Sequence, residues 1–216
     1  MRVVAIDGPA GAGKSTIARA LAKRLGIPYL DTGAMYRAVT FAALREGLDP
    51  GDAEAVTRVA SEARIEVDDD RVEVDGVDVS REIRSDRINQ AVSHVAAISG
   101  VRSLLREDQR AWVAEHGGGV VEGRDIGTVV FPDATLKVYL TASPEVRAKR
   151  RVVESGGEVE AIARSIAERD RLDSTRVDSP LMTADGSITL DTSELSIEEV
   201  VDELHRLVVV REAGNG

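Results

Sequence analysis

The residues best suited to chemistry stand near the start of the chain, where Gly8, Pro9, Ala10, Gly11, Ala12, Gly13, Lys14, Ser15 and Thr16 satisfy the pattern G-x-x-x-x-G-K-[ST]. Glycines at this spacing free backbone N–H groups to converge on phosphate oxygens, and a following helix adds the positive end of its dipole. Lys14 supplies a mobile charge for the β and γ phosphates of ATP, and Ser15 a hydroxyl for Mg2+. These nine positions are the expected ATP-binding residues, with Lys14 catalytic and Ser15 the metal contact. The alternative is a glycine-rich turn that binds nothing. The cradle alone does not separate a kinase from a hydrolysing switch, because a kinase also needs a second anion site for its acceptor.

Arginines recur where such a site is needed. Arg147, Arg150 and Arg151 fall at i, i+3 and i+4 of one expected helix and so share a face. Arg169 and Arg176 are seven apart with Asp173 between them, on one face if the helix reaches that far. Solvated helix faces with local acidic partners are the competing account. In an acidic chain with a phosphate cradle the clustering favours phosphate clamping, since guanidinium groups match phosphate oxygens bidentately. Arg37, in Asp31-Thr32-Gly33-Ala34-Met35-Tyr36-Arg37, follows a short strand, and Gly123-Arg124-Asp125 follows another. Ends of parallel strands are where open α/β sheets place their ligands.

These side chains need a frame. Val3 to Ile6 reads as a buried strand that runs through the glycine-rich loop into a helix over Ile17 to Leu25. Ile27 to Leu30 is a short extended segment, and Ala34 to Glu46 is helical. From Arg64 to Ser80 valines and isoleucines alternate with charges, and Asp75-Gly76 marks a hairpin turn, the pattern of a small antiparallel insertion. A long helical stretch follows from Ile88 to His116. Further strands are expected at Val120–Val121, Leu136 to Leu140 and Ile188 to Leu190, with helices at Pro144 to Glu154 and Glu158 to Leu172. The last helix opens at Ser196 with Glu199 three residues on, a capping-box spacing, and the tail Arg211 to Gly216 is expected to fray. The fold class is therefore α/β: a P-loop core with a five-stranded parallel sheet flanked by helices.

The whole chain has 216 residues, enough for one well-buried core with one modest insertion. With 43% apolar and 31% charged residues it reads as a soluble globular protein. It has no cysteine, which excludes a disulfide framework and thiolate metal sites. A net charge of −10 opposes binding to nucleic acid or anionic membrane, so any phosphate site must be locally basic. No apolar run near Met1 is long enough for a signal core or a membrane span, which makes a cytoplasmic location the expectation, and a single lidded core suits a monomer.

Taken together, residues 8–16, 31–37, Glu-Gly-Arg-Asp-Ile-Gly-Thr-Val-Val-Phe-Pro-Asp-Ala at 122–134, and Glu-Arg-Asp with Asp-Ser-Thr-Arg between 168 and 176 resemble bacterial cytidylate kinases over nearly the whole chain. That resemblance implies a P-loop core at 1–60 and 117–216 with a short lid near 151–160, and a nucleoside monophosphate-binding insertion at 61–116. It implies transfer of the γ-phosphoryl group from ATP, with Mg2+, to CMP or dCMP. Other readings are a kinase for another small acceptor and a regulatory nucleotide-binding switch. By position, Ser93, Arg102 and Asp125 are expected to read cytosine, and Asp173 to touch the ribose. By the same resemblance Arg37, Arg124, Arg169 and Arg176 are expected around the acceptor phosphate, and Thr32, expected to bind substrate, stands where family members often have Ser. For Asp125 chemistry gives an independent reason: cytosine presents an N4 amino donor that a carboxylate accepts, whereas uracil presents a carbonyl there. Arg147 and Arg151, on the lid, are expected to act with Lys14 in balancing charge on the transferred group.

Overall fold

The structure, a computed structural model, describes residues 1–68 and 71–214. It divides into two compact units, Met1–Tyr29 with His116–Gly216, and Leu30–Glu115. The first opens with strand β1 (Arg2–Asp7), the glycine-rich loop and helix α1 (Lys14–Leu25), and the chain leaves it through β2 (Tyr29–Asp31). The second unit contains α2 (Thr32–Arg45), α3 (Ala53–Glu62), strands β3 (Ile65–Val67), β4 (Val72–Val74) and β5 (Val77–Asp78), then α4 (Asp86–Ala96) and α5 (Ser99–Glu115). The chain returns to the first unit with β6 (Gly118–Gly123), a single π-helical turn (Ile126–Val130), β7 (Leu136–Thr141), α6 (Pro144–Ser155), α7 (Val159–Thr175), β8 (Ile188–Asp191) and α8 (Ile197–Gly214).

The larger sheet has the order β2-β6-β1-β7-β8, and β1 runs parallel to both β6 and β7, as does β7 to β8. The central strands β1 and β6 are buried, with apolar runs such as Val3 to Ile6, as strands covered on both faces must be, whereas β8 at the edge is partly exposed. The chain passes from β1 outward to one side and from β6 across β1 to the other, so the carboxyl ends of β1 and β6 form the switch point where such sheets open a crevice. Asp7 is in register with Gly123 there, which sets the glycine-rich loop and the Gly-Arg-Asp segment side by side. Helix α8 covers α1 through Val200, Val201, Leu204 and Val208, which join Ile17, Leu21 and the core strands in one apolar cluster. Ser196 accepts from the Glu199 N–H at 3.2 Å and Glu199 accepts from the Ser196 N–H at 2.8 Å, the capping box that the spacing predicts. Helix α8 continues to Gly214, so the expected fraying does not begin at Arg211; residues 215 and 216 lie outside the described residues.

In the second unit the alternating segment forms a three-stranded antiparallel sheet, β3-β4-β5, and Val74 pairs with Val77 across the turn at Asp75-Gly76. Val72, Val74 and Val79 turn inward against Ala34, Ala38, Ala42 and Val59. The single long helix expected from Ile88 to His116 is two helices. The apolar stripe runs on through the junction at Ala97 and Ile98, so periodicity alone does not reveal the break. There Gly100 lies so close to Thr57 of α3 that an added Cβ would stand 2.5 Å from Thr57 Oγ1, and the buried Arg102 donates to Ala96 O at 3.2 Å, capping a terminal carbonyl of α4. Helix α3, begun by the Asp52 side chain accepting from the Ala55 N–H, is an element the sequence reading does not contain. Among the described residues no helix is long and apolar enough to cross a membrane.

Because Leu204 is fully buried between α8 and the helix that carries the phosphate loop, Leu204→Ala is expected to lower the unfolding free energy by about 2–5 kcal/mol in urea titrations. A loss below about 1 kcal/mol would contradict the packing described for α8.

Candidate active site

The phosphate cradle takes its shape from glycines at unusual dihedrals. Gly11 and Gly13 have φ of 75° and 86°, in the left-handed region that Cβ-bearing residues avoid. At Gly8 an added Cβ would meet Leu140 O at 2.0 Å, so β7 admits only hydrogen at that position. Gly13 caps α1, whose first residues are Lys14, Ser15 and Thr16; the two hydroxyl-bearing residues are exposed while Lys14 is buried. Lys14 Nζ donates to Pro9 O at 2.9 Å, folding the side chain back over the loop. Burial, with the neighbouring Arg124 next in weight, pulls its ammonium down from the ordinary 10.5 to about 7. The cradle therefore holds a cation that is poorly compensated in the protein alone.

At the same sheet edge Asp7, the last residue of β1, accepts from the backbone N–H groups of Ile126 at 2.8 Å and Gly127 at 2.7 Å. Burial drives the Asp7 carboxyl up to about 6, against the opposing pull of those two N–H groups. Beside it Glu122, near the end of β6, is buried and accepts from the Tyr29 hydroxyl at the start of β2. Neither carboxylate figures among the sequence-derived site residues. Asp7 directly precedes Gly8, yet its partners stand 119 and 120 residues further along the chain, which no local pattern signals.

The Gly-Arg-Asp segment leads into a cluster of alternating charge. Arg124 donates from Nε to Asp173 Oδ2 at 2.8 Å, so its ion-pair partner is Asp173 on α7 rather than its neighbour Asp125. Asp125 and Asp173 each stand 3.8 Å from Arg176, the residue that ends α7. Burial works against the Asp173 carboxylate, but Arg124, Arg169 and Arg176 hold its pKa below the usual range. Arg169 is the least compensated member: burial and then Arg124 lower its pKa to about 10, and its buried Nε finds no acceptor among the described residues. A guanidinium stays charged under such conditions, so the cluster is set to take up an anion.

The three arginines of α6 separate in role. Arg147 lies against the glycine-rich loop and donates to Ala10 O at 3.0 Å, and it pairs with Asp170 of α7. Arg150, expected on the same phosphate-facing side, instead donates to Thr192 Oγ1 at 2.9 Å, Thr192 O at 2.7 Å and Ala12 O at 3.4 Å, tying the loop to the segment after β8. Arg151 pairs with Glu154 along its own helix. Residues 151–160 comprise the end of α6, a turn at 156–158 containing two glycines, and the start of α7.

In the second unit Thr32 is buried at the start of α2, which Asp31 caps by accepting from the Ala34 N–H at 3.0 Å. Arg37 is buried and donates to Ile83 O at 3.0 Å and to Asn89 Oδ1 at 2.6 Å. Arg102, with 1% of its surface exposed, stacks over the Tyr36 ring with 5.6 Å between guanidinium carbon and centroid. Ser93 is half-buried on α4. A buried arginine held by carbonyls and an aromatic face keeps a rigid donor array, unlike a solvated surface arginine.

No cluster of three or more His, Asp or Glu able to hold a metal exists among the described residues. The exposed Ser15 hydroxyl fits one hard-oxygen contact to Mg2+, an ion that keeps most of its shell from water and substrate phosphates and needs no protein cage.

The family model described as cytidylate kinase matches residues 4–209. The cytidylate kinase of Mycolicibacterium paratuberculosis is 50% identical over 215 residues, covering 95% of this chain and 94% of that protein. That of Rhodococcus opacus is 48% identical over 223 residues, covering 99% and 97%. A crystal structure described as a gluconokinase from Sinorhizobium meliloti superposes with a TM-score of 0.53 at 15% identity, covering 99% of this chain and 94% of that one, a likeness of fold alone.

Since Lys14 titrates near 7 in the free protein and a bound triphosphate favours the ammonium, binding a non-hydrolysable ATP analogue with Mg2+ at pH 8 is expected to take up close to one proton, and much less at pH 6. Titration calorimetry in buffers of different ionisation enthalpy reads this uptake. Equal uptake at both pH values would refute the depressed ammonium.

Proposed function

The chain belongs to the cytidylate kinase family, and on that footing we propose that it transfers the γ-phosphoryl group of ATP to CMP, and to dCMP, giving ADP and CDP or dCDP. The observation that carries the reading is the arginine cluster of Arg124, Arg169 and Arg176 at the switch point of the sheet, with Arg124 and Arg169 within electrostatic reach of the P-loop lysine. A hydrolysing switch has no use for a second, half-buried set of guanidinium groups; an acceptor that is itself a phosphate does.

Residues 8–16 bind the ATP phosphates, with Lys14 on the β and γ oxygens. Ser15 holds Mg2+, which when bound neutralises phosphate charge. Arg37, Arg124, Arg169 and Arg176 contact the acceptor phosphate, Thr32 lies by it, Asp173 takes a ribose hydroxyl, and Ser93, Arg102 and Asp125 read the base. The acceptor oxygen is already anionic at neutral pH, so no general base is required. It attacks the γ phosphorus in line as the bond to the β,γ-bridging oxygen breaks and ADP leaves with the electron pair. Lys14, Arg147 and Arg151 balance charge on the transferred group. The turn at 156–158 serves as the lid near 151–160 that excludes competing water, and the segment 61–116 as the monophosphate-binding insertion. A monomer in the cytoplasm suits small soluble substrates of this kind.

The direct test is ADP release from ATP across a panel of monophosphates, with CMP or dCMP expected to be fastest. ADP release that does not depend on the monophosphate would overturn the assignment. Lys14→Ala is expected to depress turnover by at least about a hundredfold, as removal of one preorganised charge-stabilising donor does. Asp125→Ala is expected to reduce the preference for CMP over UMP by about ten- to a hundredfold, since it removes the acceptor for the N4 amino group. An unchanged ratio removes Asp125 from base recognition.

A further inference from the structure

We propose that Asp170 is a positioning residue that holds the Arg147 guanidinium over the phosphate loop in readiness for the transferred group, a role that rests on reading Arg147 as a phosphoryl contact. Asp170 lies on α7, Arg147 on α6 and Ala10 in the loop between β1 and α1, so one carboxylate joins three segments of the same unit. Asp170 Oδ1 accepts from the Ala10 N–H at 3.0 Å, and Oδ2 accepts from Arg147 Nη1. The same Nη1 donates to Ala10 O at 3.0 Å, closing a ring in which both backbone groups of one loop residue are engaged. The ring is largely shielded, the side chains of Arg147 and Asp170 being 11% and 19% exposed. Gly11 admits α6 against the loop, for an added Cβ would lie 3.0 Å from Arg147 O.

This geometry differs from a surface ion pair in its consequence. A free arginine must surrender its rotamer freedom when the transition state forms, whereas one pinned by a half-buried carboxylate has already lost it. The pin leaves part of the guanidinium uncommitted: Arg147 Nε is buried and finds no acceptor among the described residues. Asp170 also fixes the Ala10 peptide, so the loop and the arginine that faces it keep one register.

The test uses the full chain with Asp170→Asn, Arg147→Met and the double variant, measuring kcat, KM for CMP and Tm. Asp170→Asn keeps an acceptor oxygen for the Ala10 N–H and removes the charge that holds Arg147. It is expected to lower kcat about ten- to a hundredfold with KM for CMP within about twofold, and to add less than about threefold to the loss in Arg147→Met. Multiplicative losses in the double variant overturn the proposal, because the two residues then act independently. So does wild-type kcat in Asp170→Asn beside an impaired Arg147→Met, a result that leaves the arginine's own role intact. Wild-type kcat in Arg147→Met overturns that underlying role instead. Asp170→Glu restores the charge at a longer reach and is expected to fall between Asn and wild type; a Glu variant no faster than Asn overturns the part played by the charge. Where the Asn variant is too unstable to assay, wild-type kcat in the Glu variant overturns the proposal, since a displaced carboxylate then costs nothing.

Discussion

The grip of Asp7 on the N–H groups of Ile126 and Gly127 organises everything else at this sheet edge. It is a charged acceptor in a buried place, and burial would drive it neutral were the two donors not there. By joining the end of β1 to the turn beyond β6 it sets the cradle for one phosphate beside the segment that carries Arg124 and Asp125. Asp7 thereby caps the N-terminal end of the π-helical turn. Within the turn Val130 and Phe131 donate to the carbonyls five residues back, at 3.2 Å and 2.7 Å.

Around that anchor the first unit holds cations whose charge burial opposes. Lys14 and Arg169 are both destabilised as cations, each by burial first and then by Arg124, while Asp173 is the carboxylate that several of the arginines share. A protein with net charge −10 that gathers Lys14, Arg124, Arg169 and Arg176 at one edge has there the local basic charge that an anionic ligand requires. Ligand binding can then be strong without any basic surface that would attract nucleic acid.

The outcome for individual residues shows where sequence reading succeeds. The phosphate loop, the alternating insertion and the capping box were legible because each depends on residues within a few positions of one another. Gly11 and Gly13 need positive φ, Val72 and Val74 share a buried face with Glu73 between them on the other, and Ser196 needs Glu199 three residues on. The break between α4 and α5 was not legible, since Gly100 is needed only because Thr57 lies against it. Arg150 reads like its neighbours Arg147 and Arg151, and only the position of Thr192 turns it into a structural tie.

What the amino-acid order determined by itself is the local chemistry: a phosphate cradle, an alternation of strand and helix that demands a parallel sheet, and arginines at helical spacing. What only the tertiary structure decided is which charges meet. Arg124 pairs with Asp173 rather than Asp125, Asp7 is engaged by a turn far along the chain, and Asp170 reaches from α7 to Ala10 and Arg147. Backbone propensity and hydrophobic period act over a few residues, whereas an ion pair is selected by burial and distance after the elements have packed, and neither is written in the spacing of the residues that form it.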